Sequence, residues 1–237
     1  MMKRFSAVAV AVLVAVSSSF ASWNYFPPND AGEGEARLGF YFGMPMEKVN
    51  TTELTLGARY SIIDGLEASL ILPLPMSYSV SGNSSDKYFG LSCPIIGVRY
   101  WLPMGVGFFG DFILPVDTRD GREPDFDMVL GVQFSKDFTE QLSLGSELRL
   151  ENLITDSDID MGIGLELDYN LGTLTPFLGL EFGSLLGKSD VTFDLIVGAI
   201  FQINDKMGAD AYLEFGLAGY GDKNTPMTIG AHLVFGF

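Results

Sequence analysis

The sequence predicts an all-β fold, namely a transmembrane antiparallel up-and-down β-barrel of about twelve strands with both termini on the periplasmic side. Three observations predict it. Apolar and polar residues alternate along about twelve segments, which is the period of a strand with one face in each of two environments. The connections alternate between long and short, and the chain opens with the features of an export signal.

The first 21 residues have the features of a cleaved signal peptide. Lys3 and Arg4 form a short basic region, an apolar run follows over 5–16, and small residues lead to Ala21, after which we expect cleavage. A transmembrane anchor is the alternative, but the run is shorter than the roughly 20 residues that a spanning helix needs. The expected organisation is a signal peptide (1–21), a periplasmic N-terminal segment (22–35) and one outer-membrane barrel domain (36–237).

The charge of the chain excludes one class of partner. The whole chain has 14 basic and 30 acidic residues, and removing the signal peptide with Lys3 and Arg4 leaves 12 basic residues, a formal charge of −18. Because nucleic-acid affinity comes from basic side chains that neutralise phosphates, no nucleic-acid partner is expected. Cys93 is the single cysteine, so an internal disulfide is excluded.

The alternation is clearest from Ile159 to Tyr169, where odd positions are apolar and even positions are glycine or acidic. On a strand these carboxylates lie on one face. Many of the segments approach the 9–11 residues of a tilted membrane strand. The other predicted strands are Ala36–Phe42, Leu54–Ile62, Leu66–Leu72, about Ile96–Leu102, Val106–Leu114, Phe126–Phe134, Leu142–Leu150, Leu174–Phe182, Val191–Ile203, Ala209–Phe215 and Met227–Phe237.

The connections supply an independent signal, because membrane barrels have short periplasmic turns and longer outer loops. Long and short connections follow each other in order, beginning with a long one, which predicts an even number of strands. The short connections are Asp64-Gly65, Pro103-Met104-Gly105, Asp137–Glu140, Asn170–Thr173 and Asn204-Asp205-Lys206. The long ones are Met44–Thr51, Pro75–Tyr88, Pro115–Pro124, Asn152–Ser157, Ser184–Asp190 and Tyr220–Pro226.

The direction of the apolar row separates two classes of fold. An inward apolar row would give a soluble barrel or sandwich, but about twelve strands enclose more space than side chains readily fill. We therefore expect the apolar row to face outer-membrane lipid. The chain ends in an alternating segment with Phe235 and the C-terminal Phe237, which is similar to the terminal-strand signal read by the barrel-assembly machinery.

With the apolar row outside, parity places a charged row in the lumen, with acids outnumbering bases. Arginines are concentrated on the early strands and acids on the late ones, which suggests ion pairs across the lumen. The predicted lumen residues are Arg37, Glu53, Arg59, Glu67, Arg99, Asp111, Asp127, Glu147, Arg149, Asp160, Glu166, Asp168, Glu181, Asp194, Asp210, Glu214 and His232. All of these except Glu53, Glu67 and His232 are candidates for setting selectivity.

Two functions follow from an acidic lumen. An open, water-filled lumen would make the protein a porin or transporter-like channel for small solutes that favours cations. A plugged lumen would make it a non-conducting structural or surface-interaction barrel, in which the charges form a paired network. The segment before the first strand could tuck into the barrel or form a periplasmic tail, and the tail is the default expectation.

An enzyme is not expected. His232, the single histidine, has Gly230 and Val234 as its neighbours on the same strand face, and neither supplies the nucleophile or carboxylate that a catalytic histidine needs. No phosphate-binding loop or metal-ligand spacing is present, so no cofactor and no metal site is predicted.

One hairpin carries a family resemblance. The segments 54–60, LTLGARY, and 64–70, DGLEASL, followed by Leu72-Pro73, resemble a recurring hairpin of the transporter-like outer-membrane family named for the meta-pathway of phenol degradation. The end of the chain is similar too, with a strand after Asn204-Asp205-Lys206, a Gly-rich loop and a closing aromatic strand. The resemblance implies a barrel that moves small, often aromatic or hydrophobic molecules across the outer membrane, and it implies no catalytic residues.

Overall fold

A computed structural model describes residues 25–26, 30–46, 49–80, 83–87, 89–119, 123–155, 158–187, 190–220 and 225–237. The signal peptide lies outside the described residues. The strands are β1 (Gly34–Met46), β2 (Val49–Ile63), β3 (Leu66–Val80), β4 (Asn83–Lys87), β5 (Ile95–Leu102), β6 (Val106–Ile113), β7 (Asp127–Asp137), β8 (Leu142–Glu151), β9 (Asp160–Tyr169), β10 (Leu174–Gly183), β11 (Thr192–Asn204), β12 (Met207–Ala218) and β13 (Met227–Gly236). Over these ranges, no helix is long and apolar enough to cross a membrane.

Twelve of these strands form a closed antiparallel barrel, which confirms the predicted fold. Each barrel strand pairs with its neighbours in the chain, β3 pairs with β5, and β13 pairs with β1 to close the cylinder. At the closure, the Gly34 and Phe237 backbones exchange hydrogen bonds of 3.0 and 2.9 Å. Both ends of the barrel sequence therefore lie at the same rim, and the periplasmic side of that rim stays a prediction.

The first two strands extend further than the sequence predicted. Residues 44–51 were expected to form a long loop, and this expectation was wrong. β1 continues to Met46 and β2 starts at Val49, with Met46 paired to Val49 and Gly43 to Thr51. The β-branched residues Val49, Thr51 and Thr52 favour extended backbone, so only two residues separate the strands.

The predicted long connection Pro75–Tyr88 is also mostly extended. β3 continues to Val80, and β4 folds back to pair with it, with Ser77 opposite Lys87. The other connections follow the predicted alternation, with turns of two to four residues at the rim that holds the termini. Three of these turns place a glycine in the left-handed region that favours this residue, because Gly65, Gly105 and Gly172 have φ values of 79°, 81° and 96°.

The apolar row faces outward around the whole barrel. Along β12, buried Asp210, Tyr212 and Glu214 alternate with exposed Ala211 and Leu213. Every barrel strand exposes a large apolar side chain; one from each is Phe40, Leu56, Leu70, Val98, Phe108, Val132, Leu148, Leu167, Leu178, Val197, Leu213 and Leu233. A belt of this extent is typical of a membrane barrel and far exceeds the apolar patches of soluble monomers. The soluble alternative, with its apolar row inside, does not match this arrangement.

Candidate functional site: the barrel lumen

The charged row that parity placed in the lumen lies on the buried face of the wall. The buried members are Arg37, Glu53, Glu67, Arg99, Asp127, Glu147, Arg149, Glu166, Glu181, Asp194, Asp210, Glu214 and His232, and the half-buried ones are Arg59, Asp111, Asp160 and Asp168. Burial of these charges inside avoids a cost of roughly 2–4 kcal/mol for each Arg or Lys at the lipid midplane. Their effect on selectivity stays a prediction.

The lumen arginines form ion pairs with carboxylates on the same strand or on nearby strands, and ion pairs across the lumen stay a prediction. Arg37 on β1 meets Asp210 on β12 at 2.8 Å, and Arg99 on β5 meets Asp111 on adjacent β6 at 3.3 Å. Arg59 pairs in the same way, with Glu35 at 2.7 Å and Glu67 at 3.5 Å. Neighbouring strands are only about 4.8 Å apart, so side chains on nearby strands reach each other readily.

Arg149 is the centre of the largest of these networks. Its guanidinium donates to Glu147 at 3.4 Å, to Glu181 at 3.3 Å and to Glu151. Gln133 on β7 extends the network, because its amide donates to Glu147 at 2.9 Å. Three carboxylates therefore surround one guanidinium in this part of the lumen.

His232 has partners that its sequence neighbours did not reveal. Asp210, its direct register partner on β12, contacts Nδ1, and the hydroxyl of Tyr41 on β1 contacts Nε2. Because a carboxylate accepts, Nδ1 donates to Asp210 and Nε2 accepts from Tyr41. The expectation that no carboxylate lies near His232 was wrong, since the partner comes from the adjacent strand. All three groups are buried, so the chain of hydrogen bonds stabilises the wall and offers solvent no nucleophile.

Inward-facing aromatic residues are the main feature that the sequence analysis missed. Each lies over a glycine of a neighbouring strand, where an ideal Cβ would come within 3.0 Å of the ring. The signal was available, because each shares the parity of a charged residue on its own strand. The pairs are Trp101 over Gly107, Phe109 over Gly131, Phe177 over Gly198 and Tyr212 over Gly230.

Tyr25 enters the barrel, which corrects the default expectation of a tail for the described part of the N-terminal segment. It is 2 % exposed and lies on two glycines. An ideal Cβ on Gly145 would be 2.4 Å from the Tyr25 Cβ, and one on Gly164 would meet the Tyr25 hydroxyl. The hydroxyl donates to Glu181 at 3.2 Å. Glycine at both wall positions therefore makes the slot that this side chain occupies.

Three acidic residues at the far rim hold the long loops. Asp127 accepts from the Ile154 backbone N–H at 3.3 Å in the β8–β9 loop. Asp160 accepts from Gly187 at 3.2 Å in the β10–β11 loop. Asp194 accepts from the hydroxyl of Tyr220 in the β12–β13 loop at 2.6 and 2.7 Å. Each of these loops is thus hydrogen-bonded to the strand that precedes its own hairpin, and the three contacts run in the same direction around the rim.

The proposed assembly signal lies at the opposite rim. Phe235 points outward and is 42 % exposed, and Phe237 is 61 % exposed beside Gly34. Both rings can therefore meet lipid or another protein, and their recognition by the barrel-assembly machinery stays a prediction.

No family model matches the sequence, and no curated protein matches it. Solved structures do match the fold. An outer membrane channel from Pseudomonas putida F1 superposes with a TM-score of 0.68 at 14 % identity, covering 90 % of this chain and 98 % of that chain. The translocator domain of the autotransporter NalP from Neisseria meningitidis has a TM-score of 0.60 at 14 % identity, covering 97 % of each chain. The KdgM porin has a TM-score of 0.51 at 14 % identity, and the match covers 83 % of this chain and 97 % of that chain. The chain therefore has the fold of outer-membrane β-barrels.

Proposed function

We propose that this protein is an outer-membrane channel for small solutes, and that the carboxylates of its lumen give it a preference for cations. The observation that carries the proposal is the closed twelve-stranded barrel with an apolar belt outside and a charged row inside. Such a cylinder satisfies its backbone in lipid and encloses a polar path between its two rims. The structures similar in fold include proteins described as an outer membrane channel and as a porin.

The charge balance of the lumen supports the cation preference. Among the seventeen predicted lumen residues, twelve are acidic and four are arginine. Each of those arginines already has a carboxylate within 4.0 Å. Excess fixed carboxylates in a narrow aqueous path attract cations and repel anions.

Tyr25 limits the path in this conformation. It lies against Gly145 on β8, Gly164 on β9 and Glu181 on β10, and it is itself buried. In this proposal a solute passes when Tyr25 withdraws from its slot. Channel function therefore depends on a local displacement of this side chain.

The same burial favours one alternative function, a non-conducting structural or surface-interaction barrel. If Tyr25 and the charged networks fill the lumen permanently, the wall has no open path and the loops at the far rim carry the function. Neither function needs an enzyme, and the solved structures similar in fold are channels, porins and a translocator domain.

Reversal potentials in planar bilayers test the proposal. The mature chain is reconstituted and measured in a gradient of potassium chloride, beside a Tyr25→Ala variant. We expect single-channel conductance with a reversal potential shifted from zero towards the equilibrium potential of potassium. Anion selectivity would contradict the role of the carboxylates. Silence of both proteins, with the barrel folded, would reject the channel and support the non-conducting alternative.

A further inference from the structure

Glu166 is a fully buried carboxylate whose oxygens have no hydrogen-bond partner among the described residues. Its exposed fraction is 0 %, and neither Oε1 nor Oε2 has a donor within reach. Asp168 lies two residues along the same face of β9, and its buried Oδ1 also has no donor there. Burial of a carboxylate without a hydrogen-bond donor is unfavourable, and the charge of Arg37 on β1 acts on Glu166 without a hydrogen bond between them. This pair therefore has three acceptor oxygens that receive no hydrogen bond from the described residues.

The strands beside Glu166 carry no side chain at the positions that flank it. Its register partners are Gly145 on β8 and Gly179 on β10, so neither flank carries a side chain. Tyr25 lies over the first glycine, and an ideal Cβ on the second would be 3.0 Å from Ile196. The carboxylate thus lies between an aromatic and an aliphatic side chain, which fill the gap that the two glycines leave in the wall.

An aromatic cluster borders the same gap. Phe177 is the register partner of Asp168. It belongs to one buried apolar cluster with Tyr25, Ile196, Tyr41 and Tyr212. Three carboxylate oxygens without a donor, two of Glu166 and one of Asp168, therefore lie near this aromatic cluster.

This combination matches one class of ligand better than others. Hard metal ions require six or more oxygen ligands, and in the described part of the chain no group of three or more His, Cys, Asp or Glu side chains is arranged to hold a metal. An organic ammonium group instead binds through aromatic faces and a carboxylate. We propose that Glu166 and Asp168, together with this aromatic cluster, bind the ammonium group of a small organic solute in the lumen.

The proposal deepens the channel function and rests on it, because it names the solute class that the lumen would select. Access requires displacement of Tyr25, which covers one side of the gap. Binding at equilibrium does not require conduction, so the two ideas can be tested separately on the same preparation.

Calorimetry with choline and its uncharged isostere 3,3-dimethyl-1-butanol tests the site. The full mature chain, folded in detergent micelles, is equilibrated overnight with each probe. Glu166→Gln removes the charge and keeps the shape. Glu151→Gln is the matched control, because it also removes a lumen carboxylate, one that pairs with Arg149. Glu151 is six residues along β8 from Gly145, the register partner of Glu166, so the two carboxylates are about 20 Å apart. We expect the choline Kd to rise at least tenfold in Glu166→Gln and less than twofold in Glu151→Gln, with no binding of the isostere.

Several results would overturn the ammonium site. These are no choline binding to the wild type, equal affinity in Glu166→Gln, equal binding of the isostere, or displacement of choline by an equal concentration of potassium. If Glu166→Gln does not fold into an SDS-resistant barrel, Asp168→Asn replaces it with the same expected loss. Conductance measured in parallel separates the two proposals. A conducting protein that ignores choline rejects the site and keeps the channel, whereas a silent protein that binds choline rejects the channel and keeps the site.

Discussion

The hydroxyl of Tyr25 donates a hydrogen bond to Oε1 of Glu181 over 3.2 Å, although 156 positions separate the two residues in the chain. The second oxygen of Glu181 accepts from Arg149 at 3.3 Å. One carboxylate thus joins the N-terminal segment to the largest ion-pair network of the wall. The position of the segment in the lumen consequently depends on a contact that can be removed without touching the lipid-facing belt.

Replacing Tyr25 tests whether the segment occludes the lumen. Tyr25→Ala removes the ring and its hydrogen bond, so we expect a higher open probability in planar bilayers, by about tenfold for the loss of one hydrogen bond to a charged group. Tyr25→Phe keeps the ring and should change the open probability less. Equal gating in all three proteins would show that Tyr25 does not limit passage.

Gly164→Ala offers an independent route to the same displacement. The added methyl group would overlap the Tyr25 hydroxyl, so this variant should gate like Tyr25→Ala. Gly236→Ala is the control, because its nearest neighbour would be 3.7 Å from the new Cβ. Because Gly164→Ala and Tyr25→Ala release the same contact, the double variant should have the same open probability as each single variant. Fully additive effects on the open probability would contradict this shared contact.

Asp160 should protect the β10–β11 loop from proteolysis. Its Oδ1 accepts from the backbone N–H groups of Leu186 and Gly187 at 3.4 and 3.2 Å, and hydrogen bonds to a charged acceptor contribute about 1.5–3 kcal/mol. Asp160→Ala should accelerate trypsin cleavage after Lys188 by roughly tenfold or more, as followed by mass spectrometry. Asp205→Ala, in an exposed turn at the other rim, should leave the rate unchanged. Equal rates for wild type and Asp160→Ala would mean that the carboxylate does not hold the loop.

Asp210 should be among the most important polar residues for barrel stability. It accepts from both Arg37 and His232 in a buried setting, and breaking a buried ion pair typically costs about 3–5 kcal/mol. We expect Asp210→Ala to lower the free energy of unfolding by that amount in urea titrations of vesicle-inserted protein, monitored by tryptophan fluorescence. An exposed control, Asp205→Ala, should change it by less than about 0.5 kcal/mol. A loss of under about 1 kcal/mol in Asp210→Ala would contradict a structural role for the pair.

Tyr220 should keep its proton in alkaline solution. Burial and the hydrogen bond to Asp194 raise the pKa of Tyr220 well above its ordinary value of 10.0. The hydrogen bond from Tyr220 to Asp194 contributes fully to stability below pH 10. Its contribution is lost as the pH rises further, because the Tyr220 phenol then ionises in the unfolded chain but keeps its proton in the folded one. Phenolate absorbance at pH 10.5 should be equal in wild type and Tyr220→Phe. One additional phenolate in the wild type would show that the contact is open.

The sequence could predict the barrel because membrane strands repeat every two residues. In the segment of β9, one parity contains Met161, Ile163, Leu165 and Leu167, and the other contains the acids, so the two faces are separated without knowledge of any contact. The same parity put Arg37 and Asp210 inside. The expected long loop near Val49 was wrong because turn residues and strand residues there have similar polarity.

The partners inside the lumen could not be predicted, because they depend on register and on side-chain reach between strands. Arg37 and Asp210 are 173 positions apart, and His232 meets Tyr41 only after β13 closes onto β1. The slot for Tyr25 depends on glycines of two strands, Gly145 and Gly164, which read in sequence as ordinary small residues. A glycine opposite an inward aromatic residue is therefore the sequence feature that indicates such a slot.

The orientation of the two faces is the central claim, and heat-modifiable mobility on SDS gels tests it most directly. Outer-membrane extracts containing the mature chain are run unboiled and boiled, since a closed membrane barrel resists SDS until it is heated. The account predicts that the protein lies in the outer-membrane fraction and shifts its mobility on boiling. A protein found soluble in the periplasm with no shift would contradict the lipid-facing belt, and with it the lumen residues, the channel and the ammonium site.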